Sequence, residues 1–232
     1  VSRPGKDLLA DGESSTTITV SVTGVDGEPL NNMTIYCSSD IGDIQPTALT
    51  GDPSDPNAAP GKANVTFISP PSNEDVTANL TFTAGSISKN RQISLKGLTI
   101  AATAEPSVLP SDGQSKAEII VLLKETTSNI PIPNKEVFFG ASDGYIGAKA
   151  YTDDSGVART MYTAGFNAGV VTINASCGDG IKEELEITIS EVTARGIEMY
   201  ANPTQIAANG ISQSKITALL RDDNFNPVVG EV

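Results

Sequence analysis

Carboxylates dominate the chemistry open to this chain. Its 28 Asp and Glu outnumber 15 Lys and Arg, and histidine is absent. Without histidine there is no Ser-His-Asp or Cys-His nucleophile pair and no histidine-bearing zinc site. Cys37 and Cys177 lack the Cys-x-x-Cys spacing of thiolate metal sites and redox pairs. Two chemistries remain to acids alone. A carboxylate pair across a cleft hydrolyses glycosidic bonds, but small domains with short loops seldom form a cleft, so catalysis is not expected. Hard oxygen ligands also suit calcium. The candidates are Asp52 and Asp55, Asp153 and Asp154, and Asp222 and Asp223. None lies in a complete Asp-x-Asp-x-Asp-Gly loop, so ordinary turn chemistry competes with calcium at each. No other cofactor is implied.

The formal net charge is −13. That balance argues against nucleic acid, whose phosphates require Lys and Arg, and against a polybasic membrane-surface role. It suits a self-repelling, solvated surface. No apolar run approaches the ~20 residues of a membrane span, so membrane insertion by this segment is not expected. The start of the chain has no signal-peptide pattern. Asn-x-Ser/Thr sequons fall at Asn32, Asn64, Asn79 and Asn174, mostly within strand-like runs where a glycan fits poorly.

The elements that must carry these residues are set by a repeat. Asp11-Gly12-Glu13-Ser14, Asp112-Gly113-Gln114-Ser115 and Asn209-Gly210-Ile211-Ser212 open three copies, with glycines 113 − 12 = 101 and 210 − 113 = 97 residues apart. An alternating strand follows each: Ile18, Val20, Val22; then Ile119, Val121, Leu123; then Ile216, Ala218, Leu220. Amphipathic helix spacing is absent. The chain therefore reads as all-β, with domains at 1–97, 98–194 and 195–232. The first lacks most of its first strand, the second is complete and the third is truncated. An unpaired strand edge is expected in the first copy, and such edges invite strand addition. The third copy is expected to continue in a longer array. Each full copy gives about seven short strands, the rhythm of an immunoglobulin-like sandwich.

The copies differ at one place. The offset between them falls from 102 (Thr50 to Thr152) to 95 (Gly61 to Gly156), so the first carries seven extra residues in a loop over 51–60, from Gly51 to Pro60. The connections at Lys96-Gly97 and Ala194-Arg195-Gly196 are too short for a flexible linker. A rod of end-to-end domains is expected. Cys37 and Cys177 occupy non-equivalent inward positions and read as small buried thiols, not a disulfide.

The Asp-Gly-x-Ser entry, the turn Asp26-Gly27-Glu28-Pro29-Leu30, the run Val137-Phe138-Phe139 and the segment Thr152-Asp153-Asp154-Ser155-Gly156-Val157-Ala158 occur in the order of a known family. Together they resemble bacterial immunoglobulin-like domains of the invasin/intimin type. The resemblance implies tandem immunoglobulin-like β-sandwich domains in a stalk outside the cell, part of a longer exported surface protein. It implies a non-catalytic adhesin segment that spaces an adhesive tip from the envelope, with neighbouring repeats as its partners. Two alternatives stand beside it. The 51–60 loop would recognise a host or surface glycan or a receptor protein, or the third copy's strand would complete the first domain of another chain in a filament.

Overall fold

The computed structural model describes residues 8–55, 57, 59–222 and 228. In the first repeat the strands are β1 (Leu8–Leu9), β2 (Ser15–Ser21), β3 (Thr34–Ser39), β4 (Asp43–Ile44), β5 (Thr47–Leu49), β6 (Lys62–Ile68), β7 (Val76–Ala84) and β8 (Ile87–Lys96). In the second they are β9 (Leu98–Glu105), β10 (Val108–Pro110), β11 (Lys116–Glu125), β12 (Glu136–Ala141) and β13 (Tyr145–Ile146). That repeat continues with β14 (Lys149–Tyr151), β15 (Val157–Thr163), β16 (Gly169–Cys177) and β17 (Ile181–Ser190). The third copy contributes β18 (Gly196–Asn202) and β19 (Lys215–Arg221).

Each full repeat is a two-sheet sandwich. The second stacks sheet β10-β17-β16-β12-β14 on β13-β15-β11-β9, and the first stacks β1-β8-β7-β3-β5 on β2-β6-β4. Among the described residues the eight and nine segments exceed the seven read from sequence for two local reasons. A short strand after the first proline of each repeat, β1 or β10, pairs in parallel with the last strand. The chain after β3 or β12 also splits, giving β4 to one sheet and β5 to the other, and likewise β13 and β14.

Period-two alternation builds the core. Ala117, Ile119, Val121 and Leu123 of β11 are fully buried, and each large side chain contributes about 1.5–3 kcal/mol of apolar burial. They meet Val137, Tyr162, Ile173 and Ile187 in one cluster, while Ile35, Val65, Phe67, Leu80 and Leu95 form the other. Cys37 and Cys177 are free thiols, one in each cluster. Two equivalent threonines brace the repeats. Thr50 Oγ1 donates to Leu30 O at 2.6 Å and accepts Met33 N–H, and Thr152 Oγ1 donates to Ile132 O at 2.6 Å and accepts Lys135 N–H.

β9 covers β11 in the second repeat, with Ile100 opposite Leu123. Ninety-seven residues later β18 and β19 repeat that register, with Ile197 opposite Leu220. Among the described residues β2 pairs with β6 and has no partner on its other side. Ile18 and Val20 are consequently only half-buried. A groove of about 1120 Å³ opens between β2 and β8, and Arg91 lines it. Arg91 sits opposite Leu80, the position that Leu185 holds opposite Ile173 in the second repeat.

Candidate functional site: the junction of the first two repeats

The site grows out of the Asp-Gly-x-Ser turn. In the second repeat Asp112 Oδ1 accepts the N–H of Gln114 and Ser115 at 2.8 and 2.7 Å, and Oδ2 accepts Ser115 Oγ at 2.7 Å. In the third copy Asn209 Oδ1 accepts from Ile211 and Ser212. Asp11 does the same with Glu13, Ser14 and Ser14 Oγ, at 3.0, 2.6 and 2.8 Å. Side chains of this type cap the backbone and let glycine take a left-handed conformation. Gly12 does so, with φ +78°.

Among the described residues, only in the first copy is the turn sealed by another repeat. Asp11 is 1 % exposed. Lys135, entering β12 of the second repeat, places Nζ 2.8 Å from Asp11 Oδ2 and 2.8 Å from Glu13 Oε2. The β16–β17 turn closes from the other side, where Asp179 N–H donates to Asp11 O at 3.2 Å. A Cβ at Gly178 would run into that same carbonyl, and one at Gly12 would meet Asp179. Leu9 is buried in the core cluster of the second repeat.

The connection itself leaves no slack. β8 ends at Lys96 and β9 begins at Leu98. Asp75 accepts Gly97 N–H at 2.9 Å and Lys96 Nζ at 3.0 Å. Gly97 O accepts Thr126 N–H, and Thr126 Oγ1 donates to Asn73 O at 2.8 Å. A Cβ on Gly97 would press on the Glu74 backbone.

Electrostatics reinforce the contact. Burial opposes the Asp11 charge, but Lys135 and the Ser14 and Glu13 N–H groups outweigh it and lower the pKa below its usual 3.8. Burial likewise opposes the Lys135 charge, and Asp11 and Glu13 outweigh it and raise that pKa above its usual 10.5. Cys177 shares the neighbourhood, and burial pushes its thiol up to about 12. A thiol held protonated is a poor nucleophile.

The carboxylates read from sequence as calcium candidates fall elsewhere. Asp52 Oδ1 accepts Ser54 N–H and Oγ at 2.9 and 2.7 Å. Asp55 accepts Asn57 N–H at 2.8 Å and Asn64 Nδ2 at 3.0 Å. Asp153 accepts Ser155 and Val157 N–H, with Asp154 exposed beside it. Asp222 follows β19, and Asp223 lies outside the described residues. Asp52 and Asp55 are brought together on one loop, whereas Asp153 and Asp154 stand in the other repeat. Among the described residues no three His, Cys, Asp or Glu side chains group so as to hold a metal. Lys135 escaped the sequence reading. The one available signal was a cation where the first copy, at 135 − 102 = 33, carries Met33.

The fold and this junction define a class: immunoglobulin-like β-sandwiches in tandem, with a contact built between neighbours. No family model matches the chain. By sequence it is similar to the inverse autotransporter adhesin YeeJ of Escherichia coli (strain K12), 24% identical over 239 residues, or 97% of this chain and 10% of that protein. The chain thus spans about a tenth of the length of the curated relative it matches. The match bears out the resemblance to repeats of the invasin/intimin type. Among solved structures, invasin, described as a bacterial integrin-binding protein, is 20% identical, with 97% of this chain and 46% of that one covered and a TM-score of 0.39. The Yersinia pseudotuberculosis adhesin InvE is 16% identical, with 82% and 58% covered and a TM-score of 0.41. The D0-D1 domain of intimin is 20% identical, with 78% and 93% covered and a TM-score of 0.35.

Proposed function

We propose that this chain is a non-catalytic stalk segment of a bacterial surface adhesin, holding an adhesive tip away from the envelope. Its units are the repeats over 1–97, 98–194 and 195–232, its partners are the repeats on either side, and its place is outside the cell. The observation that carries this reading is the sealed junction. A loose string of domains has no use for a buried Asp11–Lys135 pair and a linker without spare residues. A spacer needs both, because the reach of a stalk is set by the angle between its units. The YeeJ match supports the adhesin part of the reading.

The test is ¹⁵N relaxation of the 232-residue chain. The first two repeats should tumble with one correlation time and one diffusion tensor. Independent tumbling would overturn the stalk reading. A second reading, strand exchange between chains, is favoured by the edge of β2 that has no partner among the described residues and by the shared register of β9–β11 and β18–β19. Light scattering over a concentration series separates the two. A constant monomer mass excludes exchange.

A further inference from the structure

Within the loop over residues 51–60, Asp52, Ser54, Asp55 and Asn57 have no role in the junction, yet they are tied down. Asp55 Oδ2 accepts Asn64 Nδ2 from β6, and Asn64 Oδ1 in turn accepts Thr19 Oγ1 from β2 at 3.0 Å. Ser54 holds Asp52 by Oδ1 alone. Between the loop and the edge of the sandwich runs a groove of about 570 Å³, lined by Thr17, Gln45, Thr47, Asp52, Asn57 and Thr66 among others. Sites for small ligands commonly have about 300–1,000 Å³. The Thr17, Thr47 and Thr66 hydroxyls make no side-chain hydrogen bond among the described residues. No Lys or Arg lines the groove.

Tyr36 stands directly opposite Thr47 across β3 and β5 and is 60% exposed. Opposed residues in an antiparallel pair share a face. Tyr36 thus lies on the same face as Thr47, one strand in from the groove.

The second repeat is an internal control. Its counterparts of Thr17, Asn64 and Thr66 are Glu118 (17 + 101), Arg159 (64 + 95) and Met161 (66 + 95). Glu118 and Arg159 pair with each other at 3.0 Å, and the seven extra loop residues are missing. A plain sandwich face closes itself with an ion pair. The first repeat instead presents the Thr17, Thr47 and Thr66 hydroxyls and the Oδ2 of Asp52, which accepts no hydrogen bond among the described residues.

We propose that this groove binds a neutral oligosaccharide. Sugar hydroxyls both donate and accept, which matches Thr, Asn and Gln side chains, while Asp52 and Asp55 accept from pairs of hydroxyls. The Tyr36 ring offers the apolar surface a pyranose face packs against. Two carboxylates and the absence of cations repel sialylated or uronic sugars.

The experiment is a printed array of neutral and acidic oligosaccharides probed with the 232-residue chain. Each neutral sugar bound is then titrated against the ¹⁵N-labelled protein. Binding of a neutral oligosaccharide is expected, with amide shifts at residues 17, 45, 47–49, 52, 54, 55, 57 and 64–66. Gln45→Ala and Tyr36→Ala, both at exposed positions, should each weaken binding by about tenfold, the loss from one unmade contact. Their unchanged melting would show that the fold survives. The proposal fails if no neutral sugar binds above background, if only acidic sugars bind, or if the shifts map elsewhere. It also fails if both variants bind like the parent.

Discussion

Replacing Lys135 by Met keeps the length of the apolar stem and removes the charge that seals the junction. Removing one partner of a buried ion pair costs about 3–5 kcal/mol when the remaining charge is orphaned. Asp11 would not be orphaned. It keeps Glu13 N–H, Ser14 N–H, Ser14 Oγ and, at 3.3 Å, Ser69 Oγ. Glu13 is half exposed, so its share is a surface pair's, about 0–1 kcal/mol. The expected cost is therefore below that range, about 2 kcal/mol. It should appear in whichever repeat unfolds first, because the contact is lost at that step. Urea unfolding followed by hydrogen exchange at assigned amides reads it out. Asp11→Asn is the partner for a double-mutant cycle, since Asn209 shows that an amide still caps the turn. A coupling energy of about 1–2 kcal/mol between the two positions is expected. A cost below about 0.5 kcal/mol, or additive effects, would refute the reasoning.

The same pair sets a pH window. Asp11 has a lowered pKa, so its contribution is present above 3.8 and is lost as pH falls through the folded value. Lys135 has a raised pKa, so its contribution is complete below 10.5 and fades as pH rises through the folded value. Joint tumbling of the repeats, measured by ¹⁵N relaxation across pH, should persist between those limits and weaken beyond the folded pKa on either side. Gly178→Ala and Gly85→Ala both place a side chain at φ near +60°, but only the first meets a carbonyl. Gly85→Ala should cost about 1–2 kcal/mol of conformational strain, and Gly178→Ala at least about 1 kcal/mol more by overpacking, compared by urea denaturation. Cys37 and Cys177 should resist a thiol reagent in the native protein and react promptly in urea, as both are buried with raised pKa values. Prompt native labelling would contradict the burial.

Much of the fold was legible because it repeats. The 101- and 97-residue offsets of the Asp-Gly-x-Ser turn align strands whose alternation alone marks Ile119, Val121 and Leu123 as inward. The parity of Cys177 along β16 gave its burial in the same way. The seven-residue loop insertion was visible as a change of offset. The two-residue strands β4 and β13 were not legible, since period two cannot be read from two residues. Lys135 was not legible either. Its partner lies 124 positions away and is chosen by packing between repeats, which no local pattern records.

The parallel pairing of β10 with β17 has a mechanical consequence. β10 lies near the start of its repeat and β17 at the end, and Val108, Leu109 and Pro110 face Thr188, Ile189 and Ser190 in parallel register. A pull along the chain would draw these two strands past each other lengthwise, loading their hydrogen bonds together and not one at a time. β1 and β8 repeat the arrangement. Each sandwich therefore closes with a shear lock across the line of a pull applied to its two ends.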